Sequence, residues 1–287
     1  MAKLKIQKLA DALGAEVSGV DVSKPIAKED LMQIMDAWKE HLVLRFRGQE
    51  LTDPQLLQVS RNFGEIDPPG PNSYGKPFLA DFPDINVISN IKVGDQALGG
   101  LGDGEAIWHA DMTYIDTPPK ASFLHALEIP PTGGNTEWCN MYIAYEALPT
   151  HLKNEIRGLK AIHDATYNSA GMIRKGMKDV QDPREAPGAH HPLISRHPES
   201  GLPCLFLGRR RNSYILGLDL DASNQLLDEL WAHIDNPEFT FTQVWQLYDL
   251  ILWDNRCTLH RRDSFDPQAR RLMHRTQIKG SPVIPFE

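Results

Sequence analysis

Cysteine is scarce. The 287-residue chain has three, Cys139, Cys204 and Cys257. The number is odd and the spacings are wide, which excludes a disulfide framework and a CxxC metal knuckle and fits a reducing compartment. No apolar run approaches the length of a membrane span. The opening MAKLKIQKLADALGAEV lacks the unbroken apolar stretch of a signal peptide. A soluble cytoplasmic protein with no membrane partner is expected. A basic excess is missing as well: the formal net charge is −8, the opposite of what a nucleic-acid-binding chain carries. A local basic site for a small anion stays compatible with that total. Repeats and low-complexity runs are also absent.

What is present suits one large domain over residues 1–287, with 41% hydrophobic and 24% charged residues. In KEDLMQIMDAWKEHL, Leu31, Ile34, Met35 and Trp38 recur at helical spacing. VLRF then reads as a strand. LTDPQLLQVSRNFG reads as a capped helix, with Thr52 as N-cap, Pro54 in the first turn and Gly64 as the stop. Residues 65–104 are rich in Gly, Pro, Asp and Asn. Apart from the strand INVIS they are expected to be loop, with VGDQALGGLGDGE a mobile segment. From residue 105 short apolar strands dominate, interrupted by helices at LPTHLKNEIRGL and DASNQLLDELWAHI. Residues 166–192 show no apolar period and, like 65–104, are expected to form a lid. Many short strands and few helices make the fold class mainly β with flanking helices, a sandwich or a barrel.

Histidine and acid stand two apart at three places: His109/Asp111, His197/Glu199 and His233/Asp235. Eleven histidines and 38 acidic residues give roughly one or two such pairs by chance, so context must separate them. His233 and Asp235 end a helix, where residues two apart point about 200° away from each other. His197 and Glu199 fall in the turn RHPES and are expected to be solvated. His109 and Asp111 lie in AIWHADMTY, which reads as a strand, where residues i and i+2 share a face. His260, after the apolar strand of LILWDNRCTLHRRDSF, offers a third ligand. Two histidines and one carboxylate make the facial triad of non-haem Fe(II). A structural histidine packed under a loop is the alternative. Arg271 and Arg275, four apart in ARRLMHRTQI, share a strand face. There a guanidinium can grip a carboxylate by two parallel hydrogen bonds, or else serve as a surface ion pair.

These pieces resemble the TauD/TfdA family of Fe(II)- and 2-oxoglutarate-dependent dioxygenases, named for taurine and 2,4-dichlorophenoxyacetate (2,4-D) dioxygenases. The matching stretches, in order, are LGAEVSGVDVSKPI, VLRFRGQELTDPQLLQVSRNFGEI, WHADMTYIDTPP, IPPTGGNTEWCNMYIAYEALP, HPLISRHPESGLPCLFLG, WDNRCTLHR and RRLMHRTQIKG. The resemblance implies a double-stranded β-helix, a jelly-roll barrel, and His109, Asp111 and His260 as iron ligands. It implies Thr136 and Arg271 at the distal carboxylate of 2-oxoglutarate, Arg275 at or near the substrate's anionic group, and Met112 and Tyr114 beside the iron. O₂ is the second co-substrate, and a homodimer or homotetramer is expected.

The substrate implied is a small organic anion. The taurine enzymes carry a sulfonate-binding histidine after FGE, where this chain has IDPPGPNSYG with none. GGNTEWCNM and WDNRCTLHR look closer to the 2,4-D branch, which makes an aryloxyalkanoate the expected substrate. An alkylsulfonate, an alkyl sulfate or another small carboxylic acid is the alternative within the family. In LFLGRRRNSYILG, Arg209, Arg210 and Arg211 run consecutively. They read either as a solvated basic edge or as a second anion-binding group made by Arg211 with Tyr214, with Lys76 and Lys92 as further contributors. A zinc hydrolase built on the two histidines and the aspartate and a silent jelly-roll binding protein are the rival classes.

Overall fold

The structure is a computed structural model that describes residues 3–70, 77–104 and 106–287. Among these residues the chain is mainly β, with two sheets as its frame. In the larger sheet, nine strands run in the order Lys5–Lys8, Ala15–Ser18, Val43–Phe46, Leu250–Asp254, Ala121–Glu128, Leu272–Ile278, Asn86–Ser89 and Gly100–Leu101, with Ile66–Asp67 also paired to Leu272–Ile278. The smaller sheet orders Thr240–Gln243, Thr136–Asn140, Thr258–Arg262 and Ala106–His109.

The central strands of the larger sheet are largely buried along their length because both of their faces are covered. In Leu250–Asp254, Ile251 and Trp253 face a core shared with the smaller sheet, with Trp108, Trp138 and Leu259. Leu250 and Leu252 face the opposite way, toward Ile34, Trp38, Leu56 and Phe63. Ala121–Glu128 divides in the same manner, with Leu124 and Ala126 on one side and Ala121 and Phe123 on the other. The second side is closed by helices Lys28–His41 and Asp53–Arg61. In the first of these the apolar face is the one the sequence spacing indicated, Leu31, Ile34, Met35 and Trp38. Thr52 caps the latter helix, its backbone N–H and Oγ1 both donating to the Gln55 side-chain oxygen at 2.8 Å. Helix Leu220–Ile234 packs Leu226, Leu227, Leu230 and Ile234 into the first core.

Two stretches expected to be loop are partly strand. Lys92–Val93 pairs with Gln96–Ala97 as a hairpin, with Gly94 at φ +58° in its turn, and Gly100–Leu101 joins the edge of the larger sheet. Gly188–Pro192, at the end of the second stretch, pairs antiparallel with Lys160–Asp164. Backbone pairing carries these strands, so apolar periodicity could not reveal them. No helix among the described residues is long and apolar enough to cross a membrane.

Candidate metal centre and its two cavities

The smaller sheet presents the histidines. His109 closes strand Ala106–His109 and stands opposite His260 of Thr258–Arg262 in the antiparallel register, with ring centroids 4.1 Å apart. The strand is shorter than the sequence suggested. It stops at His109, and Asp111 sits in the turn beyond it. Strand alternation therefore does not aim this carboxylate; the Asn255 side chain does. Its Oδ1 accepts from the Asp111 N–H at 2.7 Å, and its Nδ2 donates to the carbonyls of Asp111 and Pro119, each at 2.9 Å. From the larger sheet, Ser122 Oγ donates to Asp111 Oδ2 and Arg275 Nη1 to Oδ1, both at 2.8 Å.

Asp111 Oδ1 lies 4.0 Å from Nε2 of His109 and 4.0 Å from Nε2 of His260. Two donors on one first-row ion at ~2.1 Å each lie at most about 4.2 Å apart, so the spacing fits a single ion. Protonation fits as well. Burial, with His260 and Arg209 nearby, drives His109 far below its ordinary value, and burial takes His260 down to about 4, so both imidazoles are neutral. Burial works against the Asp111 carboxylate, but Arg275 and the two imidazoles outweigh it and hold the group at about 2. His109 Nδ1 lies 2.8 Å from the Ile107 carbonyl, which fixes the tautomer with Nε2 free to bind.

Two cavities adjoin this cluster. The smaller, about 40 Å³, is lined by Thr136, Arg271, Arg262, His109, His260 and Arg275 among others. Arg271 is 1% exposed, its Nε has no hydrogen-bond partner among the described residues, and burial with Arg262 beside it lowers its pKa to about 9. Thr136 Oγ1 accepts from Trp245 Nε1 at 3.1 Å. Arg262 is engaged by the carbonyls of Leu101, Gly102 and Gly104. A buried guanidinium with donors to spare next to a fixed hydroxyl suits a carboxylate.

The larger cavity, about 100 Å³, opens on the other side of His109 and Asp111 and reaches Met112, Tyr114, Arg174 and Arg209. Met112, at φ +51°, turns the chain there. Gly208, at φ +69°, accepts from the Ala110 N–H at 3.1 Å, and a Cβ on it would stand 2.1 Å from His163 Nδ1. Only glycine fits that approach, and it sets Arg209 beside the metal cluster.

Not every expected site residue is here. Arg211 is exposed, its guanidinium 3.4 Å over the Tyr167 ring. Tyr214 is packed with Ile162 and Ala186, and its hydroxyl donates to the Leu218 carbonyl. Neither lines the cavity. Arg209 does, carried there by the segment that follows Gly208, while Arg210 pairs with Asp228 at the surface; this segment is turn and not strand, so no alternation sets which arginine enters. Lys92 is exposed on its hairpin, and Lys76 lies outside the described residues. His197, expected to be solvated, is buried with Nε2 3.2 Å from Asp254 Oδ2. That carboxylate is also gripped by Arg256, and Cys257 completes a second buried His–Asp–Cys group. Asn255, Ser122, Arg174 and Arg262 were not singled out from the sequence. Asn255, inside WDNR between Asp254 and the turn to His260, was the one open to suspicion.

A buried triad of two neutral imidazoles and a carboxylate, flanked by an anion-ready cavity and a second open one, defines a class of metal-dependent oxygenase sites. Comparison with known proteins supplies the family. The description "Taurine catabolism dioxygenase TauD, TfdA family" matches residues 5–277. The chain is 31% identical over 278 residues to the alpha-ketoglutarate-dependent 2,4-dichlorophenoxyacetate dioxygenase of Cupriavidus pinatubonensis, covering 94% of this chain and 96% of that enzyme. It is also 31% identical over 292 residues to an alkylsulfatase of Acinetobacter baylyi, covering 97% and 86%. The crystal structure of AAD-2 in complex with Mn(II) and N-oxalylglycine superposes with a TM-score of 0.80 at 29% identity, covering 98% of this chain and 100% of that one. The chain belongs to the TauD/TfdA family. It is an Fe(II)- and 2-oxoglutarate-dependent dioxygenase that uses O₂.

Proposed function

We propose that this dioxygenase hydroxylates an aryloxyalkanoate at the carbon next to the ether oxygen. The hemiacetal so formed collapses to a phenol and an oxo acid. The observation that carries the site assignment is the meeting of the two cavities at His109 and Arg275. One suits the dicarboxylate co-substrate and the other an organic acid.

In this reading His109, Asp111 and His260 hold Fe(II), which couples the oxidative decarboxylation of 2-oxoglutarate to succinate and CO₂ with hydroxylation of a C–H bond. Arg271 and Thr136 bind and orient the distal carboxylate of 2-oxoglutarate. Arg275, at Oδ1, keeps the Asp111 carboxylate charged and in place, with Ser122 holding its Oδ2. Met112 and Tyr114 wall the substrate side. The two sheets form the jelly-roll barrel of a single domain spanning 1–287. The stretches around 65–104 and 166–192 act as lids, and the enzyme works in the cytoplasm as a homodimer or homotetramer. A second reading, hydroxylation of an alkyl sulfate or alkylsulfonate, draws support from the equal identity to the alkylsulfatase.

The test is succinate release from 2-oxoglutarate with Fe(II), ascorbate and air, across phenoxyacetates, phenoxypropionates, alkylsulfonates and alkyl sulfates, with Asp111→Ala as the blank. Stimulation by the aryl ethers with phenol formation supports the first reading. Stimulation by the sulfur acids alone replaces it with the second. Wild-type release no higher than the blank refutes the assigned metal site.

A further inference from the structure

The larger cavity holds more positive charge than the metal centre accounts for. Three guanidinium groups line it, from Arg174, Arg209 and Arg275, with one carboxylate, Asp111. Arg275 is committed to Asp111 at 2.8 Å, and among the described residues Arg174 and Arg209 have no acidic partner within ion-pair distance. Asp164, an acid whose charge bears on both, is occupied by the N–H groups of Thr166 and Tyr167 and by Asn212 Nδ2.

Both arginines point Nη1 at one atom: the Tyr167 carbonyl accepts from Arg174 at 2.7 Å and from Arg209 at 2.6 Å. Arg174 Nη1 also reaches the Ala165 carbonyl at 2.7 Å, and its guanidinium stacks 4.0 Å from the Tyr114 ring centroid. Arg209 is 9% exposed, and its Nε is buried with no hydrogen-bond partner among the described residues. Two like charges brought onto one neutral acceptor in a buried wall repel each other, and burying a charge without a counter-ion is costly. An arrangement of this kind is relieved by an anion that takes the free donors of both groups.

We propose that Arg174 and Arg209 form a substrate-anchoring subsite that grips one anionic head group, carboxylate or sulfonate, between two guanidinium groups at the far side of the cavity from 2-oxoglutarate. Arg209 comes from the segment fixed by Gly208 to the metal-bearing turn. Arg174 comes from the 166–192 stretch. The head group therefore ties that stretch to the rigid floor of the site, and the Tyr114 ring beneath Arg174 offers its edge to the rest of the substrate. The word substrate rests on the oxygenase reading; the anion subsite does not.

The test is titration calorimetry on the full-length, metal-free protein with phenoxyacetate and hexanesulfonate, each against its neutral counterpart, phenoxyethanol and hexanol. The expected result is a preference of about tenfold or more for at least one anion, and a loss of ~10- to 100-fold in its affinity in Arg209→Gln and in Arg174→Gln, with the neutral compounds unchanged. The favoured anion tells carboxylate from sulfonate. Should Arg209→Gln fail to fold, as a melting curve would reveal, Arg174→Gln in its more open setting decides the matter. A wild-type protein with no anion preference overturns the proposal. So do variants that keep the preference, or that lose neutral and anionic probes alike, as a purely structural role would require. Failure of the oxygenase reading appears elsewhere, as absent succinate release by the wild type.

Discussion

Asn255 offers the sharpest test of how the metal centre is held. Its side chain makes three hydrogen bonds to backbone, two of them to Asp111 itself, and the residue is 1% exposed. In Asn255→Ala the Asp111 N–H and two carbonyls lose their partners in a place water does not reach. Each orphaned group costs ~1–3 kcal/mol. Because the three losses share one relaxation they do not simply add, and about 3–5 kcal/mol is expected, a large part of a typical domain stability of ~5–15 kcal/mol. Asp111 is then free to leave the position 4.0 Å from both histidines, and metal affinity falls by ~10- to 100-fold, as for the loss of other outer-sphere supports. Asn255→Asp is the harsher change: it keeps an acceptor for the N–H but sets carboxylate oxygen against two carbonyls. The assays are urea unfolding of the metal-free protein and calorimetric Mn(II) binding to the same samples. If Asn255→Ala unfolds within 0.5 kcal/mol of wild type, on the order of a neutral surface change, and binds Mn(II) unchanged, the clamp has no role and the reasoning fails.

Further outcomes follow from the same geometry. Arg271→Gln removes the most deeply buried guanidinium of the smaller cavity, 1% exposed with its Nε unpartnered among the described residues, and should raise the 2-oxoglutarate KM by ~10- to 100-fold, while Mn(II) affinity measured without co-substrate holds. Arg211→Ala and Tyr214→Phe, whose side chains lie outside the cavity, should leave substrate KM within about twofold; a tenfold rise would return them to the site. Acid should unfold the metal-free protein early. His260 and His109 sit below the ordinary histidine value in the fold, so the unfolded chain takes up protons first as pH falls. Stability then drops from pH ~6.5 toward 4, and Asp111 adds a second loss between ~3.8 and 2. A urea midpoint that is flat from pH 7 to 4.5 would contradict this.

The triad was legible because its parts carry chemistry that composition alone does not supply. His109, Asp111 and His260 are rare residue types in apolar surroundings, and they did converge. Strand alternation does not explain the pairing: the strand ends at His109, and the turn that carries Asp111 is held by Asn255, an amide with no distinguishing pattern in sequence. Strands Val43–Phe46, Ala121–Glu128 and Leu250–Asp254 of the larger sheet are readable as apolar runs, since burial on two faces leaves that mark. The hairpin at Lys92–Ala97 and strand Gly188–Pro192 left none, because backbone hydrogen bonds recruit any residue. The same limit explains Arg209 and Arg211. A run of three arginines says that one or two turn inward, but the phase is set by Gly208 packing on His163, a contact between residues 45 positions apart.

Apart from Asp111, which sits in a turn, the parts that hold the ion come from a different kind of chain than much of what encloses the larger cavity. Histidines, serine and arginine of the centre stand on or beside paired strands, whereas Phe78, Met112, Met172 and Arg174 belong to connecting segments. Connecting segments accept exchange at little cost to folding, while strand positions packed on both faces do not. The molecule is thus divided into a conservative engine and a replaceable mouth. A lineage built this way can change its diet by rewriting a few dozen loop residues without risking the reaction, and directed evolution toward a new organic acid has the same place to start.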